Sequence, residues 1–502
     1  MRAKDTGTSE GQIDAAGERR VHDVSTGGRS ASSNGHTRAA RQRADDGAKR
    51  PGRVGRRVVL GPGWPLVAIF VGYPLWWLLG LRSFVFLFAV VPMALTLARR
   101  SRLVAPRGFG VWLLFVAWAA AGLALVGAHA PGATDGQMAT RLFPATYRVG
   151  WYIALTVVLL YVGNLSEREL SSRRICRLLS VLFMLTVAGG YLGIVAPRFQ
   201  FTSPVEHLVP TGIANNAFFK SLTHPVSAQV QSFLGYDEAR PAAPFGHAND
   251  WGANFGLLLP FFVLEWLRRD GGWRRWVGVG VLAAAAVPAV ASLNRGLWLG
   301  LSVMAVYAAA SAAVSGRFAA LAGLVSAGAA VVVVAAVTPL GGTIQERLAT
   351  PHSNNARSTL ASRTVAAVTH GSPVAGFGST RDVQGNFTTI GGGATPECPR
   401  CAPPAMGTQG HIWLVIFSQG FVGAALFFWF VLRRFLPHLC DRRPLASAVC
   451  ASLVFFFVVI SVYDLLDAPM FTVTIGLALL WRMQRAPAPL RVEPRAVAAG
   501  AQ

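Results

Sequence analysis

Long stretches without a charged side chain recur along this chain, and they decide what it can fold into. Residues 277–293, for example, carry no charge at all. An apolar run of about 20 residues is the length that crosses the hydrocarbon core of a bilayer as a helix. With no water inside a membrane, every backbone polar group must be paired within the structure, so helices or a closed barrel are the options. Barrel strands alternate at period two, and these runs do not. Only 14% of the 502 residues are charged and 53% are hydrophobic, whereas a soluble domain carries about 25% charged residues. The expected fold class is therefore all-α, a polytopic membrane helical bundle.

Twelve spans are expected, at roughly 64–81, 83–98, 109–127, 149–163, 178–196, 251–267, 276–293, 296–314, 318–337, 411–432, 445–463 and 470–482. Residues 1–57 hold 13 of the 46 Lys and Arg and almost no large apolar side chain. Such a segment cannot bury a core, which predicts a disordered basic tail. It is not a cleavable signal peptide, because the first apolar run starts too late. The membrane domain covers 58–485, and 486–502 is a second short tail.

Orientation follows from the basic residues. With the N-terminal tail inside, the inner connections and the end of the chain hold 21 Lys and Arg, and the longer outer segments hold 12. The positive-inside rule then places both termini in the cytoplasm of a multi-pass plasma (inner) membrane protein. The net charge of +23 sits in the tail and in short loops. It points to membrane lipids rather than to nucleic acid. Two outer loops are long, 197–250 and 338–410, and loops of that length are functional or disordered.

Cys398 and Cys401 form Cys-Pro-Arg-Cys in the second of these loops, where a local disulfide is expected. No further pair completes a zinc site, so no metal is expected. No Gly-rich phosphate loop followed by Lys is present, which leaves no ATPase module and no cofactor.

Outward arginines oppose the positive-inside bias and need a reason. Arg295 sits at a tight turn in Ser292-Leu293-Asn294-Arg295-Gly296, and Arg357 and Arg363 lie in the second loop. A guanidinium fork suits phosphate, so these three are candidate anion ligands. His411 opens the tenth span and could accept a proton from a hydroxyl. His247 and Asn249 lie in Pro244-Phe245-Gly246-His247-Ala248-Asn249-Asp250-Trp251-Gly252 at the end of the first loop. Asp464 and Asp467 sit at an outer turn and read as polar caps.

Four segments together resemble the O-antigen ligase and polymerase superfamily of membrane glycosyltransferases. They are Arg240 through Gly252, Ser292 through Gly296, Ser362-Arg363 followed by Pro373-Val374-Ala375-Gly376-Phe377-Gly378, and His411 through Gly423. The resemblance covers about residues 60–485. It implies a GT-C-like bundle with an outward cavity and metal-independent transfer of glycan from a polyprenyl-pyrophosphate carrier to an acceptor hydroxyl. The partners implied are a polyprenyl-pyrophosphate-linked oligosaccharide and an acceptor glycan or lipid. The carried-over catalytic residues are Arg295, Arg363 and His411; Arg357, Asn249 and His247 are read from their own positions as candidates for binding substrate. One spacing departs from the pattern. Gly420 follows His411 by nine residues instead of eleven, which puts Gln409 at the aligned position. Ligase and polymerase share these motifs. The alternative reading is a membrane transporter of an anion or a lipid-linked sugar.

Overall fold

The computed structural model describes residues 61–134, 137–232, 237–268, 271–337, 342, 352–384 and 405–485. The 1–57 tail, the 486–502 tail and the Cys398/Cys401 pair lie outside the described residues. What is described is mostly helical. Five helices are long and apolar enough to cross a membrane, namely Met138–Asn164, Ser172–Val195, Trp273–Ala291, Arg295–Val314 and His411–His438.

In chain order the helices begin with α1 (Trp64–Val71), α2 (Tyr73–Leu79), α3 (Phe84–Ala98), α4 (Phe109–Ala121), α5 (Met138–Asn164) and α6 (Ser172–Val195). Short helices α7 (Pro204–Leu208), α8 (Thr211–Ala214) and α9 (Ala217–Thr223) follow, then strands β1 (Ala228–Ser232) and β2 (Asp237–Pro241). The chain continues with α10 (Ala248–Trp266), α11 (Trp273–Ala291), α12 (Arg295–Val314), α13 (Phe318–Val337) and α14 (His352–Gly371). It closes with α15 (His411–Phe435), α16 (Pro444–Val459) and α17 (Ala468–Arg485).

Helices α6 and α10 form the centre, with α16 packed on α10 and α17 on α5. Trp251 Nε1 donates to the Thr186 carbonyl at 2.8 Å and the Ser452 hydroxyl to the Leu257 carbonyl at 2.8 Å. These bonds lock buried polar atoms between helices where water cannot reach them. At the far end of α10, buried Glu265 accepts from Arg177 at 2.7 Å and Arg173 at 3.4 Å. Asn249 and Glu265 are sixteen residues apart on one helix, so these two ends of the bundle are separated by about 24 Å.

The sequence expectations meet the structure unevenly. The span 318–337 coincides with α13. The span 64–81 divides into α1 and α2 at Gly72, because Pro74 at the start of α2 has no N–H for a continuous ladder. Helix α5 begins eleven residues before the expected 149, its first turns carrying Arg141 and Arg148, which depress the apolar signal. The first long loop is ordered over its described residues. It folds as three short helices and an antiparallel ribbon pairing Ala228 with Pro241 and Gln229 with Arg240.

Helix α15 is broken at Gly420, whose φ of 68° and ψ of −174° are not helical. A break inside a membrane helix frees carbonyls that must find donors. The segment after α14 supplies them. Phe377 N–H donates to Phe417 O at 2.9 Å, Gly378 N–H to Ser418 O at 2.9 Å, and Trp118 Nε1 to Gln419 O at 2.9 Å. Phe421 N–H returns a bond to Pro373 O at 2.8 Å. The Pro-Val-Ala-Gly-Phe-Gly motif is therefore a plug for the broken helix. Buried Arg381 anchors it, donating to Val126 O at 2.7 Å, Ser379 O at 2.9 Å and Phe377 O at 3.0 Å.

Candidate functional site

Four elements deliver polar side chains to the end of the bundle where α10, α12, α15 and α17 begin. Arg295 is the first residue of α12. Its backbone is held by Asn294, whose side chain caps the helix by accepting from Leu297 N–H at 3.2 Å. Arg357 comes from α14 and donates through Nε to Gln409 Oε1 at 3.4 Å. Arg240 comes from the end of β2 and is buried. It donates through Nε to Ser292 O at 2.7 Å and through Nη2 to Asn249 Oδ1 at 3.2 Å.

Tyr463, in the turn between α16 and α17, ties these together. Arg240 and Arg357 act electrostatically on its hydroxyl, and Arg295 is acted on by both Arg357 and Tyr463. Three guanidinium groups from three elements thus lie within electrostatic reach of one buried phenol. The candidates Arg295 and Arg357 are two of the three, and Asn249 bonds the third, Arg240. Arg363 lies six residues beyond Arg357 on α14. It is therefore about 120° away around the helix axis, and it is exposed.

His411 takes a place the sequence does not anticipate. It is 0% exposed, its ring lies 5.6 Å from that of Phe427, and neither ring nitrogen has a hydrogen-bond partner among the described residues. Its backbone N–H donates to Tyr463 O at 2.7 Å. Gln409, two residues earlier and half-buried, is the side chain that meets Arg357. Its φ of 65° and the extended Gly410 lead the chain irregularly into α15.

A second polar group adjoins the first through the same turn. Arg148 of α5 donates to Ser379 Oγ and Thr380 Oγ1, both at 3.2 Å, and acts electrostatically on Asp464 and on His411. Asp464 Oδ1 accepts from Gly410 N–H at 3.3 Å, while the residue as a whole is exposed. Protein crowds this carboxyl while the residue keeps solvent access. The crowding raises its pKa, with Arg148 opposing.

Beyond Asp464, a cavity of about 60 Å3 is lined by Tyr73, Arg82, His247, Asp250, Asn254 and Asp467 among others. His247 faces this cavity, away from its neighbour Asn249, which bonds Arg240. Asp467 accepts from the Ser83 hydroxyl, and burial pushes its pKa up to about 7. Arg82 is buried and donates to the carbonyls of His224 (2.8 Å) and Ser221.

The chain matches no protein-family model, no curated protein and no solved structure. Sequence reasoning missed Arg240 and Arg148 as site residues. Their signal was available, since both are among the basic residues that the expected orientation places outside. No group of metal-ligating side chains is present among the described residues.

Proposed function

We propose that this chain is a membrane glycosyltransferase that moves a glycan from a polyprenyl-pyrophosphate carrier to an acceptor hydroxyl on the extracytoplasmic side of the plasma membrane. The observation that carries the reading is the convergence of Arg240, Arg295 and Arg357 around Tyr463. Like charges near one another repel, and an anion with several oxygens placed among them relieves that repulsion. A pyrophosphate leaving group is such an anion. Its charge grows as the glycosidic bond breaks, so donors fixed in advance stabilise the transition state more than the ground state. Arg357, rather than Arg363, is the partner of Arg295 in this scheme. The broken helix α15 does not favour the transporter alternative. Such breaks line transport sites when their freed carbonyls face substrate, whereas here Phe377, Gly378 and Trp118 take three of them.

The direct test of the site is binding. Purified protein should retain a fluorescent polyprenyl pyrophosphate well above the corresponding monophosphate. The double variant Arg295→Ala/Arg357→Ala should lose that preference. Equal retention of both lipids by the wild-type protein would remove the basis of the reading.

The same reading makes the chain a twelve-span, GT-C-like bundle with both termini cytoplasmic. Exposed His370 then lies outside and exposed Cys440 inside. In protein with Cys398 and Cys401 replaced by Ser, a His370→Cys site should react with an impermeant maleimide on intact cells, and Cys440 only after permeabilisation. The reverse pattern would invert the topology.

A further inference from the structure

The transferase reading leaves the acceptor's proton without a taker. A group that receives it must reach the substrate hydroxyl within hydrogen-bond distance, about 2.6–3.2 Å or through one water. His411 is enclosed, with its ring against Phe427 and no exposed surface. Gln409 has no basic atom. Among the residues of the turn between α16 and α17, Asp464 differs from its neighbours. Tyr463 and Leu465 are buried, whereas Asp464 is exposed to solvent.

Its position relative to the arginines is fixed by that turn. Tyr463, the residue before it, is the phenol around which Arg240, Arg295 and Arg357 gather. The N–H groups of Gly410 and Gln409 hold the carboxylate from one side, and a carboxylate has about four lone-pair sites, which leaves room for another donor. We infer that Asp464 is the catalytic base that takes the proton of the acceptor hydroxyl. This inference rests on the transferase reading above and names the residue that completes it.

The step balances without a metal or a further reactant. The acceptor oxygen forms a bond to the anomeric carbon of the carrier-linked glycan as the bond from that carbon to the phosphate oxygen breaks. The electron pair leaves with the pyrophosphate, toward the arginines, and the hydroxyl proton passes to Asp464.

The charged and titratable groups around Asp464 are Arg148 from α5, Asp250 from α10, His411 from the start of α15, and Tyr463 and Asp467 near it in the chain. Protein crowding and Asp250 raise its pKa, while Arg148 and the N–H groups of Gly410 and Gln409 lower it, with a net upward direction. A carboxylate base works only when deprotonated, so the rate should fall as pH drops through this raised value.

The test uses purified full-length protein in lipid nanodiscs with a synthetic polyprenyl-pyrophosphate oligosaccharide and its acceptor. Asp464→Asn should lower turnover by about 100-fold or more, keep carrier binding within a few-fold of wild type, and lack the acidic limb of the pH–rate profile. Asp464→Glu, which keeps the carboxylate, should recover part of the rate and restore the limb. Turnover of Asp464→Asn within a few-fold of wild type, with the acidic limb unchanged, would overturn the assignment and leave the transferase reading standing. Equal loss in the Asn and Glu variants with carrier binding retained would make Asp464 a structural residue and also overturn it. A wild-type protein that binds carrier and transfers nothing would sink the transferase reading and this assignment together.

Discussion

Arg295→Lys is expected to lose roughly a hundredfold in turnover although the charge is conserved. The side chain emerges from the first residue of α12, and the Asn294 cap fixes its starting point. From a fixed origin, a planar fork can hold two phosphate oxygens at once, while an ammonium offers a single compact and strongly hydrated charge. Arg357 and Arg240 are already in place around the same phenol, so the loss is one of geometry more than of field. Removing one donor aimed at a developing anion costs on the order of 3 kcal/mol. The loss should appear in kcat as well as in KM, because the leaving group gains charge in the transition state. Steady-state kinetics at matched expression measure it. An Arg that merely reaches toward lipid headgroups would tolerate Lys, and near-wild-type kcat in this variant would assign Arg295 to that role.

The second large effect is on folding. Gly420→Ala should abolish the packing of the 373–378 segment against α15. A Cβ at Gly420 would stand 2.3 Å from the Val374 carbonyl oxygen and 2.8 Å from the Ala375 nitrogen. Both are backbone atoms between Pro373, whose carbonyl accepts from Phe421, and Phe377 and Gly378, whose N–H groups bond Phe417 and Ser418, so neither can retreat cheaply. The φ of 68° adds roughly 1–2 kcal/mol of strain for any residue with a side chain. The reciprocal site, Gly378, has a φ of 70° and would place its Cβ 2.1 Å from the Gly122 carbonyl oxygen. Thermal unfolding in detergent should show a clear drop in Tm for either Ala variant, and an unchanged Tm would mean that the plug is not a stability element.

The sequence carries the helical membrane character openly, because a long uncharged run has few alternatives in physics. It carries the ends of helices poorly wherever a polar side chain faces protein instead of lipid. Helix α5 is the clearest case. Arg148 sits within it, bonded to Ser379 and Thr380 more than 200 residues away, and no local pattern announces such partners. Gly72 and Gly420 show the same limit from the other side. Each interrupts an apolar run that reads as one span by overall hydropathy, and although Pro74 and Ser418-Gln419 stand beside the breaks, only the backbone dihedrals show where the chain turns.

The candidate site was legible in part. Arg295 and Arg357 stand out as arginines where the membrane bias disfavours them, and the structure brings them together. Arg240 obeyed the same rule and passed unnoticed, because its role depends on the β1–β2 ribbon that carries it to Ser292. The histidine illustrates register. Two residues separate Gln409 from His411, and on a helix that spacing turns a side chain by about 200°. The irregular lead-in at Gln409 and Gly410 resolves the pair, sending Gln409 to Arg357 and His411 into the core. Asp464 read as a polar cap from sequence, since its exposure beside buried Tyr463 and Leu465 is a tertiary property.

The central claim is that the arginine group holds a pyrophosphate as it leaves a sugar. It is tested most directly by following both products in one reaction. Purified protein is incubated with a polyprenyl-pyrophosphate oligosaccharide, without nucleotide, and glycan transferred to acceptor is quantified beside free polyprenyl pyrophosphate released. The account predicts that the two appear in equal amounts and that both fall together in Arg295→Lys. Passage of the intact carrier-linked glycan across a vesicle membrane, with no free carrier released, would contradict it.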